Sequence, residues 1–147
     1  MPMTELKIVK TEYDQSEGRL CSSKYGEVVL RGEEGEIWTR GYNVMLGYWN
    51  DPEKTNEAIT PDGWMRTGDL GILDDEGYCR ITGRIKDVII TGGENVYPSE
   101  IESILQQRSN IFDAQIIGQP DPRLGEKIRA VLILKYTKEE MTLEKFE

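Results

Sequence analysis

The chain has 147 residues, of which 27 are acidic and 18 are basic, and its formal net charge at pH 7 is −9. This balance argues against nucleic acid as the main partner, because neutralising phosphates requires clustered Lys and Arg; a local basic face can still bind a phosphorylated small molecule. Histidine is absent and Cys21 and Cys79 are the only cysteines, which excludes His-dependent catalysis, His-ligated metals and a cysteine zinc site or disulfide framework.

Short strands dominate the first part of the chain, because apolar and β-branched runs alternate with turn signals. Leu6 and Ile8 form the predicted buried face of the first strand, and the polar, aperiodic stretch 11–24 predicts a loop. Gly32 and Gly35 predict a hairpin-like connection, since glycine readily adopts positive φ. The strands predicted before residue 85 are 4–10, 26–31, 36–40 and 78–82.

One helix interrupts the otherwise irregular stretch 41–63. Asp51 before Pro52 has the pattern of an N-cap followed by proline at the first helical position, which predicts a short helix over 52–59. The sequence Pro-Asp-Gly at 61–63 predicts a turn.

The composition changes after Arg84, where an α+β unit is predicted to begin. A β-branched run ends at Gly92 and Gly93, and Pro98 opens a predicted helix over 98–108. The apolar stripe of that helix is Ile101, Ile104 and Leu105. Strands are predicted at 113–118 and 127–135, and Thr142 is the predicted N-cap of a last helix that the sequence ends before completing.

Four stretches resemble, in order and spacing, the acyl-CoA synthetases of the adenylate-forming superfamily. They are GEIWTRGYNVMLGYWNDPEKT (35–55), DGWMRTGDLG (62–71), GRIKDVIITGGENVYPSEIE (83–102) and PDPRLGEKIRAVLIL (120–134). The resemblance, to ligases of the short- to medium-chain fatty-acid type, covers nearly the whole chain. It implies an α+β fold in which 1–85 is the last β-rich, distorted barrel-like subdomain of an N-terminal adenylation body. Residues 86–147 would then be a partial C-terminal swinging domain.

The resemblance also implies a two-step reaction. ATP converts a carboxylic or fatty acid to an acyl-adenylate with release of pyrophosphate, and the CoA thiol then displaces AMP. The small C-terminal domain turns about a hinge between the two steps. ATP, AMP and CoA are therefore the expected ligands, and Mg²⁺ is expected for the full enzyme.

Seven positions match functional positions of the family. They are Asp69 and Arg84 for the nucleotide ribose, Lys86 and Asp87 for the hinge, and Gly92, Gly93 and Glu94 for CoA. Structural alternatives stay open for each group: a simple turn at Asp69, a surface ion pair at Arg84, a solvated charge pair at the hinge and a strand-ending turn at the glycines.

Several family features are missing from these 147 residues. The Thr/Ser/Gly-rich phosphate loop and the adenine-site motif are absent, and the acid pocket would lie upstream. The lysine that polarises the carboxylate would lie downstream, so no catalytic residue and no metal ligand is expected here. The isolated chain is therefore expected to be inactive, because adenylation needs electrostatic stabilisation of a polyanionic transition state. The stretch from about 11 to 25 is longer than the family's short turn, through either a surface insertion or an error in the gene model.

Two further functions remain as alternatives. One is a non-catalytic interaction module, or a split half that pairs with a separate N-terminal body. The other, within the family, is an acid ligase that loads an aryl acid or a carrier-protein thiol. No apolar run approaches the roughly 20 residues that span a bilayer, and no signal-peptide pattern begins the chain. An intracellular location, cytoplasmic or in the mitochondrial matrix, is therefore expected.

Overall fold

The computed structural model describes residues 3–14, 16, 19–23 and 25–135. The chain divides into two compact units, Met1–Val88 and Ile89–Glu147. The predicted helix beginning at Thr142 lies outside the described residues.

The first unit contains six described strands, one α-helix and one 3-10 turn. They are β1 (Thr4–Val9), β2 (Thr11–Asp14), β3 (Arg19–Ser22), β4 (Glu34–Gly41), α1 (Pro52–Ala58), β5 (Met65–Leu73), β6 (Cys79–Arg84) and the 3-10 turn Ile85–Asp87. Strands β1, β4, β5 and β6 form an antiparallel sheet in that order, and β2 pairs only with β3. A strand-rich first unit therefore agrees with the alternating pattern of the sequence.

The core of the first unit lies where β1 meets the centre of the sheet. Val9 packs with Trp38 and Trp64, and Leu70 is fully buried. Ile8 and Val9 are both buried although they are consecutive, because both faces of the end of β1 are covered. Leu6 is 40% exposed, so its predicted place on a buried face is wrong.

The predicted loop over 11–24 is wrong, because β2 and β3 form an antiparallel hairpin with Thr11 opposite Ser22. Among the described residues of this stretch, Leu20 and Ser23 are the ones that are buried. A hairpin that buries so little carries almost no hydrophobic alternation, so the sequence pattern gave no strand signal.

The predicted strand over 26–31 is also wrong, since this stretch contributes only an isolated bridge from Val28 to Val9. Val28 and Leu30 are exposed, which removes the packing that would stabilise a strand there. The short helix is confirmed as α1, with the Asp51 side chain accepting a hydrogen bond from the Lys54 amide at 3.0 Å.

In its described residues, 89–135, the second unit is a four-stranded antiparallel sheet with one helix. Its elements are β7 (Ile89–Thr91), β8 (Glu94–Val96), α2 (Pro98–Gln106), β9 (Ile111–Asp121) and β10 (Gly125–Leu134), with the strand order β8-β7-β10-β9. Helix α2 packs on β9, where Ala114 and Ile116 are buried. Ile104 is 62% exposed, so the predicted apolar stripe narrows to the half-buried Ile101 and Leu105. The strand-rich α+β fold class is confirmed, and the described strands form open sheets rather than a closed barrel.

Candidate functional site

A β-bulge in β5 is the centre of the candidate site. Glu36 of β4 lies opposite Leu70, whereas Trp38 lies opposite Arg66, so three residues of β5 oppose the single residue Ile37. These three residues, Thr67–Asp69, are called the bulge below. Gly68 has a φ of 74°, which favours glycine because side chains are strained there. Bulges re-aim side chains at sheet positions next to functional sites.

Hydrogen bonds fix the shape of the bulge. The Thr67 hydroxyl donates to the carbonyl oxygen of Ile37 at 2.7 Å and accepts from the Asp69 amide at 3.1 Å. The Gly68 amide donates to the Glu36 carboxylate at 2.7 Å. The backbone amides of Gly68 and Asp69 therefore have side-chain acceptors in place of sheet partners.

The Glu36 carboxylate lies beneath the bulge and is almost completely buried, at 3% exposure. Besides the Gly68 amide, its oxygens accept from the indole Nε1 of Trp38 at 2.6 Å and from the Ser22 hydroxyl. Burial raises the pKa of Glu36, while the bonds from Trp38 and Gly68 and the charge of Arg66 oppose that shift. This carboxylate therefore connects β3, β4 and β5 at one point.

The two predicted ribose-binding residues form an ion pair. Asp69 and Arg84 are directly opposite on β5 and β6, and Arg84 Nε donates to Asp69 Oδ1 at 2.7 Å. Their side chains are 33% and 51% exposed, respectively. The bond from Arg84 Nε to Oδ1 orients the Asp69 carboxylate. The other oxygen, Oδ2, can still accept a hydrogen bond from a further donor.

A cleft of about 640 Å³ lies beside the bulge within the first unit. Its basic lining residues are Arg19, Lys54, Arg66, Arg84 and Lys86. The acidic residues that line it are Glu36 and Glu57, and Gly68 also contributes to its wall. Although the whole chain is acidic, five basic side chains around one concavity favour an anionic ligand.

The predicted hinge residues Lys86 and Asp87 are exposed and lie in the 3-10 turn after β6. This turn contacts β3 and β5. Lys86 also lines the cleft, whereas Asp87 does not. Their role as a hinge stays a prediction.

The predicted CoA-binding residues form the tip of the β7–β8 hairpin. Thr91 pairs with Glu94, and Gly92 and Gly93 between them have φ angles of 59° and 89°. Positive φ at both positions is the pattern of a two-residue type I′ turn. All three residues from Gly92 to Glu94 are exposed, and the space around Gly93 would accommodate a Cβ without contact. The turn could therefore admit close approach of a ligand to its backbone.

No group of three or more acidic or cysteine side chains in the described part of the chain could hold a metal ion. None of the helices in residues 3–135 that the structure describes combines the length and apolar character that crossing a membrane requires.

Sequence reasoning missed Glu36, Ser22 and the bulge itself. The available signal was a charged residue, Glu36, beside the apolar pair Ile37-Trp38 in a predicted strand. In the structure all residues of 35–38 are buried. A carboxylate in such a run indicates donors nearby, because buried charges are normally hydrogen-bonded.

No family model matches the chain. Among curated proteins it is 48% identical over 135 residues to YngI of Bacillus subtilis, named as an acyl-CoA synthetase, covering 92% of this chain and 22% of YngI. It is 50% identical over 120 residues to the mitochondrial medium-chain acyl-CoA ligase ACSF2 of Danio rerio, covering 82% of this chain and 20% of the relative.

Solved structures agree with these relatives. ATP-bound MatB from Rhodopseudomonas palustris superposes with a TM-score of 0.79 at 37% identity, covering 92% of this chain and 24% of MatB. The o-succinylbenzoate CoA synthetase MenE from Bacillus subtilis, in complex with its acyl-adenylate, gives a TM-score of 0.80 at 32% identity, covering 99% of this chain and 26% of MenE.

These matches define the chain as a member of the adenylate-forming superfamily. Its sequence relatives are acyl-CoA synthetases, and it corresponds to the C-terminal part of these enzymes. The chain spans about a fifth of the length of the curated relatives it matches.

Proposed function

We propose that the chain carries the ribose-facing and CoA-facing parts of an ATP-dependent acid–CoA ligase. In this reaction the carboxylate of the acid attacks the α-phosphate of ATP, and pyrophosphate leaves. The CoA thiol then attacks the carbonyl carbon of the acyl-adenylate, losing its proton as AMP leaves. The observation that carries the proposal is the ion pair between Asp69 of the bulge and Arg84 of β6. Arg84 lines the cleft together with four other basic residues, whereas Asp69 is not part of its lining.

Asp69 is proposed to bind the nucleotide ribose. Arg84 engages Oδ1 of its carboxylate, so the second oxygen can accept a hydrogen bond from a ribose hydroxyl. Arg84, half exposed, can donate to the same ribose from its remaining guanidinium nitrogens. The ATP-bound and acyl-adenylate-bound structural neighbours support ATP and AMP as ligands.

The β7–β8 turn is proposed to contact CoA. Gly92 and Gly93 present backbone without side chains, which lets a thin ligand arm approach closely, although the Gly92 amide itself already donates to the Leu124 carbonyl oxygen at 2.9 Å. Glu94 follows Gly93 directly, as the first residue of β8. Lys86 and Asp87 are proposed as the hinge, since hinge residues are few and lie at the ends of elements.

We also propose the assignment of residues 1–85 to the adenylation body and 86–147 to the swinging domain. The chain alone is proposed not to adenylate an acid, because its sequence contains no phosphate loop to stabilise the transferring phosphate. Mg²⁺ would supply charge stabilisation at the phosphates in the full enzyme. The mitochondrial name of ACSF2 and the bacterial origin of YngI support an intracellular location.

Calorimetric titration of the purified chain with AMP and, separately, with CoA tests the proposal. AMP affinity is expected to fall about tenfold or more in Asp69→Asn, and CoA binding is expected to be lost in Gly93→Trp. Gly77→Trp is the matched control for the second variant, because Gly77 also has positive φ at an exposed turn with open space around it. If Gly77→Trp weakens CoA binding as much as Gly93→Trp does, the CoA assignment is wrong.

A second candidate function is pairing with a separate N-terminal body. The observation that favours it is the exposure of Leu46 and Trp49, whose side chains are almost wholly accessible. The chain should then co-elute with an N-terminal body on size-exclusion chromatography, and Trp49→Ser should weaken that complex. ATP–pyrophosphate exchange is not expected to return on mixing, because the downstream lysine is missing from both parts. Exchange by the chain alone would contradict both the inactive-fragment proposal and the need for a partner.

A further inference from the structure

The Glu36 carboxylate has no part in the reaction proposed above, yet it is among the most buried polar groups of the described residues. It accepts from the Gly68 amide, the Trp38 indole and the Ser22 hydroxyl. A buried carboxylate is costly, and a well-packed apolar side chain at such a site is often at least as stabilising. Its bonds therefore call for a reason other than stability.

The bond to Gly68 reaches the middle of the bulge, one residue before Asp69. Oε1 of Glu36 accepts that bond, whereas Oε2 accepts the bonds from Trp38 and Ser22. Trp38 is itself a core residue, so Oε2 is anchored to a rigid part of the sheet. The carboxylate thus fixes the backbone of the bulge, and with it Asp69, relative to the buried core.

The bond from Ser22 adds the β2–β3 hairpin to this connection. The hairpin occupies the stretch that is longer than the short turn usual in the family, and it supplies Arg19, Leu20, Cys21 and Ser22 to the wall of the cleft. Ser22 is therefore the point where the additional hairpin is joined to the bulge through Glu36.

We propose that Glu36 is a positioning residue that holds the bulge so that Asp69 faces the ribose of a bound nucleotide, and that Ser22 joins the β2–β3 hairpin to this support. The inference rests on the proposed role of Asp69. Glu36 is proposed to act through the backbone of Gly68, whose amide its Oε1 accepts from.

The test is Glu36→Gln in the 147-residue chain. Glutamine keeps the shape but replaces one acceptor oxygen by an NH₂ donor, so it cannot serve all three donors at once. Glu34→Gln is the matched control, because Glu34 lies on the same strand opposite Ile72 and away from the bulge. Ser22→Ala is a milder second variant that removes one donor and leaves the carboxylate in place, should Glu36→Gln not fold.

Two kinds of readout separate positioning from general stability. The first is NMR, through hydrogen exchange of the Gly68 amide and the chemical shift of Arg84 Nε–H. Exchange of Gly68 is expected to be about tenfold faster or more in Glu36→Gln, since bonds to charged acceptors are among the stronger hydrogen bonds. The second is the ratio of affinities for AMP and 2′,3′-dideoxy-AMP, which depends on the ribose hydroxyls; this ratio is expected to approach one in Glu36→Gln and to be unchanged in Glu34→Gln.

An unchanged Gly68 exchange rate or an unchanged affinity ratio in Glu36→Gln would overturn the inference. If the wild-type chain binds no AMP, the proposed nucleotide site fails in the isolated chain. The Gly68 amide and the Arg84 Nε–H signal then still decide whether Glu36 positions the bulge. Loss of binding to both nucleotides by the same factor, with the ratio preserved, would show a structural role only and would also overturn it.

Discussion

Asp69 and Arg84 lie on neighbouring strands, and both keep partial contact with solvent. Solvent screening makes such a pair a weak source of stability, so its geometry is better explained by a ligand-facing role than by folding. Glu36 is the opposite case, because its carboxylate is buried and its environment shifts its pKa upward. Removing the Asp69 carboxylate should therefore change ligand binding with little effect on stability. Removing the Glu36 carboxylate should change stability as well.

Replacing Asp69 by Asn should separate binding from stability. The free energy of unfolding is expected to change by less than about 1 kcal/mol, because the broken ion pair is partly exposed. AMP affinity is expected to fall about tenfold or more, as a charged acceptor for the ribose is lost. Chemical denaturation and calorimetry measure the two effects. Asp75→Asn, in the exposed turn after β5, is the control and should change neither.

Glu36 should give stability a dependence on pH. Burial raises its pKa above the usual value near 4.5, so the native protein holds this proton at pH values where the unfolded chain has lost it. Its contribution to the free energy of unfolding is therefore complete below about 4.5 and decreases as pH rises through the native pKa.

Denaturation of the wild type and Glu36→Gln across pH 4 to 7, roughly the range in which a shifted carboxyl titrates, measures this dependence. The stability of the wild type relative to the variant should fall as pH rises, since the glutamine cannot titrate. A constant difference across the range would show that burial does not control the protonation of Glu36.

At the scale of elements, local capping and turn chemistry set where α1 and the β7–β8 hairpin begin and end. Asp51 caps α1 through the Lys54 amide and also forms an ion pair with the Lys54 side chain at 3.2 Å. Gly92 and Gly93 supply the two positive φ angles that a two-residue hairpin needs. The cap of α1 is local, whereas the turn also receives a distant contact, because the Gly92 amide donates to the Leu124 carbonyl oxygen at 2.9 Å.

Asp51→Ala is expected to lower the free energy of unfolding by about 1 kcal/mol, because the side-chain acceptor at the N-cap is lost. Asp51→Asn keeps an acceptor oxygen and is expected to retain most of the stability, which makes it the matched control. Chemical denaturation distinguishes them. Equal losses in both variants would assign the effect to the ion pair with Lys54 instead of the cap.

Gly92→Val is expected to destabilise the β7–β8 hairpin by about 1–2 kcal/mol, because a β-branched side chain is strained at a φ of 59°. Gly92→Asn is the control, since Asn tolerates left-handed backbone and Asn-Gly is a preferred pair for this turn. Hydrogen exchange of the β7 and β8 amides reports the difference. Similar protection in both variants would mean that the turn conformation is not strained by a side chain.

At the scale of the whole molecule, each of the two units has its own buried residues. In the first unit Val9, Trp38 and Leu70 are buried, and in the second Ile111, Ala114 and Ile116 are buried. The candidate ribose site belongs to the first unit and the candidate CoA turn to the second. The stability of each candidate site is therefore expected to depend on the core beneath it.

Leu70→Ala should lower the free energy of unfolding by about 2–5 kcal/mol, because a fully buried leucine is replaced by a cavity. Hydrogen exchange is expected to quicken for amides of β4 and β5 first. Ile111→Ala, in the core of the second unit, is the matched comparison and should act first on β9 and β10. If either variant accelerates exchange equally throughout the described residues, the two units unfold as one.

Part of the fold and of the candidate site was predictable from local sequence. The cap of α1, the turn at 61–63 and the strand after Tyr78 follow from residues that are adjacent in the chain. The site residues were reached by resemblance, and their roles stay predictions. Apolar periodicity did not identify the β2–β3 hairpin, because that hairpin buries little. It also predicted a strand at 26–31, where Val28 and Leu30 are in fact exposed.

The sequence by itself determined the strand-rich α+β class, the capped helix and the family membership, because caps, turns and ordered motifs are local. Only the tertiary structure decided that Glu36 is buried beneath Gly68 and that Asp69 lies opposite Arg84. These contacts depend on the register between β4, β5 and β6 and on a bulge that shifts it. Register is set by pairing between distant segments, and it is this pairing that places the carboxylates where they are.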